Sequence, residues 1–130
     1  APVKYLIMIM MNPEASAVWE KMGHDEQVEG YEAHNRVREA MDAAGELVAA
    51  EALQGQDVAR RVRLRDGQVV TTDGPFAEVK EHLAGYYLVD CASIEKAVEW
   101  ASRMPEAEFV DIEVRPVLDL HAVVAAGPDT

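Results

Sequence analysis

The histidine at position 34 lies where an imidazole can take part in acid–base chemistry. Residues from about Asp25 to Ala44 repeat at helical spacing, and His34 falls about 20° around that helix from the apolar Met41. The ring is therefore expected at the edge of the apolar stripe, half-buried. Such a position suits a general acid or base. The alternative is a boundary histidine that is hydrogen-bonded to a nearby carboxylate or carbonyl group.

A cluster of arginines is the second feature that could take part in chemistry. Four of the twelve cations lie within six residues, at positions 60, 61, 63 and 65. The Asp66-Gly67 pair that follows predicts a two-residue hairpin turn, with Arg61, Arg63 and Arg65 on one face and Val62 and Leu64 on the other. The arginines either neutralise an anionic substrate or acidic neighbour, or form the solvated face of an edge hairpin.

Metal and cofactor chemistry have weaker support. Glu78 and His82 are four residues apart, but two ligands without a third or fourth rarely form a metal site. Cys91, the single cysteine, has no basic neighbour in sequence and is expected to be a buried apolar residue. The chain has no glycine-rich phosphate loop. We therefore predict neither a metal nor a cofactor.

Length and charge restrict the class of protein. The 130 residues are enough for one domain, and the formal net charge of −12 disfavours nucleic acid and anionic membranes as partners. No apolar run is long enough to span a bilayer, and a single cysteine cannot form an internal disulfide. These features favour a cytoplasmic protein. We predict one domain over 1–118 and a loosely ordered extension over 119–130.

The elements that would position these residues follow from local patterns. Apolar runs predict strands, helical spacing and capping residues predict helices, and the Asp-Gly pair predicts the hairpin. The predicted order is strand 4–11, short helix 13–22, helix 25–44, strand 47–53, hairpin 61–72, loop 73–85, strand 86–91, helix 94–104 and strand 109–114. This is an α+β fold of ferredoxin-like βαβ-βαβ type with an inserted β-hairpin.

Two helices cover only one face of such a sheet. The other face would still carry apolar side chains from 4–11 and 86–89, which is unusual for a soluble monomer. We therefore expect a homodimer that packs sheet against sheet and forms clefts at the junction between the sheet and the hairpin.

One ordered set of motifs resembles a known family. Thr72-Asp-Gly-Pro-Phe-Ala-Glu78, Gly85-Tyr-Tyr87 and the closing Ile112–Val117 segment are similar to the DGPF group of the YCII-related family. Together with Arg65-Asp66-Gly67 and the opening Lys4-Tyr5-Leu6 strand, the resemblance runs from about Val3 to Val117. It implies a dimeric α+β barrel of ferredoxin-like halves in a cytoplasmic bacterial protein.

The resemblance also implies two candidate functions. In one branch of the family a histidine and an aspartate act in a cleft, and these correspond by position to His34 and Asp73. DGPF members are also linked with extracytoplasmic-function sigma factors, which implies a regulatory or interaction protein instead. From the residues alone, Asp73 either orients His34 as a general acid/base partner or forms an Asx turn before Gly74-Pro75.

For the first function we expect a small anionic or phenolic ligand. The catalytic pair would be His34 and Asp73. The residues expected to contact the ligand are Arg61, Arg63, Phe76, Glu78 and Tyr86.

Overall fold

The computed structural model describes residues 3–127. Its regular elements are six strands, four helices and two short 3₁₀ turns within these residues. In chain order they are β1 (Val3–Met11), α1 (Pro13–Lys21), α2 (His24–Ala43), β2 (Leu47–Ala52), a 3₁₀ turn (Gln56–Val58), β3 (Arg60–Arg65), β4 (Gln68–Asp73), β5 (His82–Cys91), α3 (Ile94–Ser102), a second 3₁₀ turn (Pro105–Glu108), β6 (Ile112–Pro116) and α4 (Leu120–Ala126).

Four strands form the main sheet in the order β2-β5-β1-β6, and every neighbouring pair is antiparallel. The first strand lies in the interior, with Ile7 opposite Tyr87 on one side and Val114 on the other. This strand order and the pattern of helices confirm the α+β prediction and are consistent with a ferredoxin-like fold.

The core lies between one face of this sheet and helices α2 and α3. Alternate residues of β1 and β5 point to opposite faces, so one set of them packs under the helices. The buried cluster consists of Tyr5, Ile7, Ile9, Val37, Met41, Ala50, Tyr87, Val89, Cys91, Ala97, Trp100, Ala101 and Met104. The buried state predicted for Cys91 is confirmed.

Local signals place the ends of the helices. Asn12 caps α1 by accepting a hydrogen bond from the Ala15 amide at 2.8 Å, and Pro13 follows at the first helical position. Ser93 caps α3 in the same way through the Lys96 amide, at 3.2 Å. After α2, Gly45 has a φ of 73°, the left-handed conformation that glycine tolerates best.

Strands β3 and β4 form a separate two-stranded sheet, which is the predicted hairpin. Asp66 and Gly67 have φ values of 50° and 77°, as a type I′ turn requires. Leu64 is opposite Val69 and Val62 is opposite Thr71, the register expected from the turn. Every residue of both strands is exposed.

Some boundaries differ from the predictions. Strand β5 begins at His82 within the predicted loop, because 82–85 pair with β1. Strand β6 begins at Ile112. Phe109 still belongs to the end of the second 3₁₀ turn, because its backbone N–H donates a hydrogen bond to the Glu106 carbonyl. Helix α3 buries Ala97, Trp100 and Ala101, whereas its apolar Val98 is 51% exposed.

The segment predicted as a loose extension contains helix α4, capped by the Asp119 side chain through the Ala122 amide. All residues of this helix are exposed. The last three residues of the chain lie outside the described range.

No helix packs on the second face of the main sheet within residues 3–127. Strand pairing also brings the charged side chains of Lys4, Asp90, Glu113 and Arg115 to this face. Its apolar side chains occupy half-buried positions of β1 and β5, which are Leu6, Met8, Met10, Tyr86 and Leu88. We refer to these five residues as the open sheet face. This is the apolar surface that the sequence predicted.

Candidate functional site

The side chains of Glu106, His34 and Tyr87 form a continuous hydrogen-bonded chain. The Nε2 atom of His34 lies 2.7 Å from Oε1 and 2.7 Å from Oε2 of Glu106. Its Nδ1 atom lies 2.7 Å from the Tyr87 hydroxyl. Both ring nitrogens are therefore engaged, one by a carboxylate and the other by a phenol.

Three different elements bring these groups together. His34 lies in the middle of α2, Tyr87 lies on the helix-facing side of β5, and Glu106 lies in the 3₁₀ turn that follows α3. The buried Met104 anchors this turn, and Pro105 begins it. The turn directs Glu106 towards α2. The site thus lies between the helical layer and the sheet, on the side opposite to the open sheet face.

The geometry fixes where the protons lie. A carboxylate only accepts hydrogen bonds, so Nε2 of His34 carries the proton that points to Glu106. In the neutral ring Nδ1 accepts, and the Tyr87 hydroxyl donates to it. When the ring is protonated, Nδ1–H donates to the Tyr87 oxygen, and the hydroxyl proton can turn to the His34 carbonyl oxygen, 3.3 Å away. The site therefore accommodates both states of the ring.

Tyr87 remains a phenol under ordinary conditions. Burial and the adjacent negative charge of Glu106 raise its pKa to about 12, although the nearby Arg38 guanidinium acts in the opposite direction. Tyr87 can therefore donate or relay a proton but does not act as a phenolate near neutral pH. The side chains of His34 and Glu106 keep exposures of 20% and 17%, so the edge of the site reaches solvent.

A shallow groove of about 430 Å³ lies between α2 and the start of β2. Its lining residues are Asn35, Arg38, Glu39, Asp42 and Leu47. Arg38 is one helical turn after His34, and its charge acts on Tyr87. Among residues 3–127, Arg38 takes part in none of the ion pairs. The groove thus contains one cation, Arg38, together with the carboxylates of Glu39 and Asp42.

The structure places Asp73 elsewhere. It ends strand β4, where its carboxylate lies 3.3 Å from Nε of Arg60 on the opposite strand of the hairpin, and both side chains are largely exposed. Because both nitrogens of His34 are bonded to other groups, the expected pairing of His34 with Asp73 is replaced by pairing with Glu106. The predicted half-buried position of His34 matches the structure.

Three of the predicted ligand residues bind one another. The Arg61 guanidinium lies over the Phe76 ring, 3.8 Å from its centroid, and donates to Glu78 at 2.6 Å. The Glu78 carboxylate accepts hydrogen bonds from its own backbone amide and from Arg61, and these two hydrogen bonds lower its pKa. Of the other two residues, Arg63 is exposed on the hairpin and Tyr86 lies on the open sheet face. No hydrogen bond or ion pair among residues 3–127 joins these five residues to His34.

Sequence reasoning missed Glu106, Tyr87 and Arg38 as site residues. The spacing of Arg38, four residues after His34 on the predicted helix, was a usable signal. Tyr87 alternates with Tyr86, so strand geometry already placed the two rings on opposite faces of the sheet. Nothing in the local sequence marks Glu106, because a short turn after α3 positions it.

Two further properties concern residues 3–127. They contain no cluster of three or more His, Cys, Asp or Glu side chains arranged to hold a metal ion. Within the same range, no helix combines the length and the apolar character needed to cross a bilayer.

Comparison with known proteins gives the family. The YCII-related domain matches residues 3–121, which is nearly the whole described chain. An uncharacterized protein of Rhizobium meliloti (strain 1021) is 30% identical over 115 residues, covering 87% of this chain and 90% of that protein. The chain is therefore an α+β protein of the YCII-related family.

Proposed function

We propose that this chain is a small-molecule enzyme or binding protein in which His34 exchanges a proton with the ligand. The observation that carries the proposal is the bonding of His34 to Glu106 and to Tyr87, at 2.7 Å on each side. A carboxylate that fixes the tautomer and orientation of an imidazole is a recurrent arrangement in acid–base catalysis. Here Glu106 takes the orienting role that the sequence assigned to Asp73.

Proton exchange would pass through the edge of the site. Tyr87 donates to Nδ1 of the neutral ring, so a ligand that accepts or delivers a proton beside the hydroxyl changes the state of His34 without moving the ring. The Tyr87 hydroxyl has an acceptor in each protonation state of His34: the ring Nδ1 when the ring is neutral, and the backbone carbonyl oxygen when the ring is protonated.

The groove suggests the class of ligand. Arg38 would hold a carboxylate or other anionic group, while Asn35, Glu39 and Asp42 would bond to hydroxyl or amine groups of the same molecule. A small hydroxylated or phenolic acid has both features. This is the anionic or phenolic class expected from the sequence, but with Arg38 in place of Arg61 and Arg63 as its partner.

Two arginines of α2 provide a matched test. Arg38 is in none of the ion pairs among residues 3–127, whereas the Nη2 atom of Arg36, two residues away, donates to Glu29 at 2.8 Å. A panel of small aromatic and aliphatic hydroxy acids is titrated into ¹⁵N-labelled protein, and binding is followed by amide shifts. We expect shifts centred on 34–39 and 47, at least tenfold weaker binding in Arg38→Gln, and unchanged binding in Arg36→Gln.

The role of the histidine is tested in the same samples. The ¹⁵N shifts of the His34 ring report which nitrogen carries the proton, and we expect the bound ligand to change them. If no acid of the panel binds at millimolar concentration, or if Arg36→Gln and Arg38→Gln weaken binding equally, the proposed site is wrong.

The proposal also covers self-association of the chain and its membership of the DGPF group within the family. We place the chain in the DGPF group of its family, in the cytoplasm, as a homodimer that packs through the open sheet face into an α+β barrel. The support is the row of half-buried aliphatic side chains on that face, which a second copy would remove from water. Sedimentation of Leu88→Glu against wild type tests it: the variant should be monomeric where the wild type is dimeric.

A second candidate function has its own observation. The hairpin β3–β4 exposes Val62, Leu64 and Val69 at 68–69% each, which favours a protein-interaction role. The link to a sigma factor stays a prediction. If this is the whole function, the small-molecule panel finds no ligand, and substitutions at His34 leave partner binding unchanged.

A further inference from the structure

The arginines of strand β3 form a basic face on an otherwise acidic chain. Arg61, Arg63 and Arg65 alternate along the strand, so their side chains lie on the same side of the hairpin; we call this side the arginine face. Residues 60–73 contain four arginines and two aspartates, a net charge of +2 in a chain whose net charge is −12. Every residue of β3 and β4 is exposed. The hairpin is therefore a local positive surface in contact with solvent.

Two of the three arginines are available to a partner. Arg61 stacks on Phe76 and donates to Glu78 at 2.6 Å, so its charge is engaged within the chain. Arg63 and Arg65 take part in none of the ion pairs among residues 3–127. They are two strand positions apart, about 7 Å. Two carboxylates on alternate residues of an extended strand have the same spacing and can pair with both guanidinium groups.

The edge of β3 can supply main-chain hydrogen bonds to such a strand. Strands β3 and β4 form a sheet of their own, and no other strand among residues 3–127 pairs with either of them. Alternate residues of an antiparallel ladder turn their N–H and C=O groups to opposite sides, so part of the backbone of β3 is directed to its free edge. An unpaired edge of this kind is a template to which an extended peptide can add.

The charge of this edge selects what can add to it. A second β3 edge would set arginines against arginines, which destabilises the pairing. An acidic strand would instead place a carboxylate beside each arginine. The remaining acidic surface of the chain repels such a strand, but exposed charges farther apart than about 8 Å are largely screened at physiological ionic strength. The local charge of the hairpin therefore decides the binding.

The other face of β3 completes the pattern expected of the partner. Val62 and Leu64 alternate with the arginines and point to the opposite side of the hairpin. In a strand added at this edge, the residues between the acidic ones would lie beside these two aliphatic side chains, where apolar residues are favoured. The partner segment thus alternates Asp or Glu with Val, Ile or Leu.

We propose that the free edge of β3 binds an extended segment of another protein in which acidic and aliphatic residues alternate. Its backbone pairs with β3, and its carboxylates pair with Arg63 and Arg65. The site is separate from the groove of the proposed ligand. It gives the second candidate function a partner of defined chemistry, and it rests on that candidate function only in requiring a protein partner.

Peptide titration tests this site. A short synthetic peptide in which Glu alternates with Val is titrated into the ¹⁵N-labelled full chain. We expect amide shifts centred on 60–65, away from 34–39 and 47. Binding should be about tenfold weaker in the double variant Arg63→Gln with Arg65→Gln. The control, Arg103→Gln with Arg115→Gln, removes the same charge outside the hairpin and should bind as wild type does. Circular dichroism confirms that each variant is folded.

Two further peptides keep the test independent of substitutions in the protein. A peptide with alternate amides N-methylated cannot pair along an edge, and we expect it not to bind. A peptide of the same composition with its glutamates in one block retains the charge but loses the alternation, and it should bind about tenfold more weakly. Binding of the alternating peptide should weaken as salt rises from about 0.1 M to about 1 M.

The outcomes separate this site from the alternatives and from the ligand groove. Absence of binding at millimolar concentration overturns the site and leaves the groove, which is tested through Arg38→Gln, unaffected. Equal binding of the methylated peptide overturns the strand pairing. Displacement of the peptide by an equal concentration of a single-stranded DNA oligonucleotide would identify a general anion patch and overturn the proposal. A change in sedimentation of the chain alone in the Arg63/Arg65 double variant would identify a second copy as the occupant and overturn it as well.

Discussion

The Tyr87 hydroxyl lies 2.7 Å from Nδ1 of His34 and 3.3 Å from the carbonyl oxygen of the same residue. The two rings are stacked, with centroids 5.9 Å apart and planes inclined by 24°. One residue thus offers the phenol both an acceptor on its ring and an acceptor on its backbone. The hydroxyl can follow the protonation of His34 by rotation alone.

Tyr87→Phe should remove this relay and change the pH dependence of stability. Below about pH 10 the phenol is neutral in the folded and unfolded chain, and the lost hydrogen bond should cost about 1 kcal/mol. The unfolded phenol ionises near its ordinary pKa of 10, whereas the folded one has a pKa of about 12. Wild-type stability therefore falls additionally between these pH values, and the difference between the two proteins narrows there.

Urea unfolding of both proteins from pH 7 to pH 11.5 measures this difference. Tyr31→Phe, at an exposed tyrosine, serves as the control and should follow the wild-type curve in shape. A constant gap between Tyr87→Phe and wild type across the whole range would contradict the raised pKa of Tyr87.

Replacing each of the two candidate carboxylates by an amide should show which of them, Glu106 or Asp73, is the partner of His34. Glu106→Gln replaces a charged acceptor at a half-buried histidine, and we expect a loss of about 2 kcal/mol together with a changed ¹⁵N tautomer signature of the His34 ring. Asp73→Asn removes only an exposed ion pair with Arg60, which should change stability by less than about 0.5 kcal/mol. Chemical denaturation and ring ¹⁵N spectra measure both effects. The reverse order of effects would restore Asp73 as the partner of His34.

The sequence was sufficient for the α+β class and for the order of the main elements because the signals for these are local. Strand β1 is apolar at nearly every position, Asp66-Gly67 dictates the turn, and Asn12 and Ser93 carry their caps within three residues. These patterns determine the order of elements. The half-buried position of His34 followed from helical geometry alone.

The partners of His34 were not predictable in the same way. Glu106 is 72 residues away along the chain, and a short 3₁₀ turn decides which side chain reaches α2. Asp73 was attractive because it adjoins a distinctive loop, yet the hairpin register sets it opposite Arg60. Long-range side-chain pairing depends on how the elements pack, and sequence spacing carries no information about it.

Gly74→Ala should destabilise the base of the hairpin. A Cβ atom at this position would collide with the backbone carbonyl oxygen of Gln56, which cannot move aside as a flexible side chain would. The Gly74 amide also donates to the Ala59 carbonyl at 2.8 Å, and this bond joins the hairpin to the preceding 3₁₀ turn. We expect a loss of about 2 kcal/mol in thermal or chemical unfolding.

Gly23→Ala provides the control for that substitution. At Gly23 the nearest atom to an added Cβ is 4.0 Å away, and its φ of −67° suits any residue. Because Gly23 is the N-cap of α2, where alanine caps less well, the loss of stability should be about 1 kcal/mol at most. Equal stability of the two variants would mean that the loop around Gly74 relaxes without cost.

Asp90→Ala should leave the stability of the single chain unchanged or raise it by about 1 kcal/mol. The Oδ1 atom of Asp90 is buried and has no hydrogen-bond partner among residues 3–127, so its loss of hydration is uncompensated. Glu113→Ala, at an exposed carboxylate on the edge strand β6 of the same sheet, controls for the removal of a negative charge. Thermal unfolding at two protein concentrations measures both variants. A loss of stability in Asp90→Ala at both concentrations would show that its carboxylate has a donor within the chain. A loss confined to the higher concentration would show that a second copy supplies the donor.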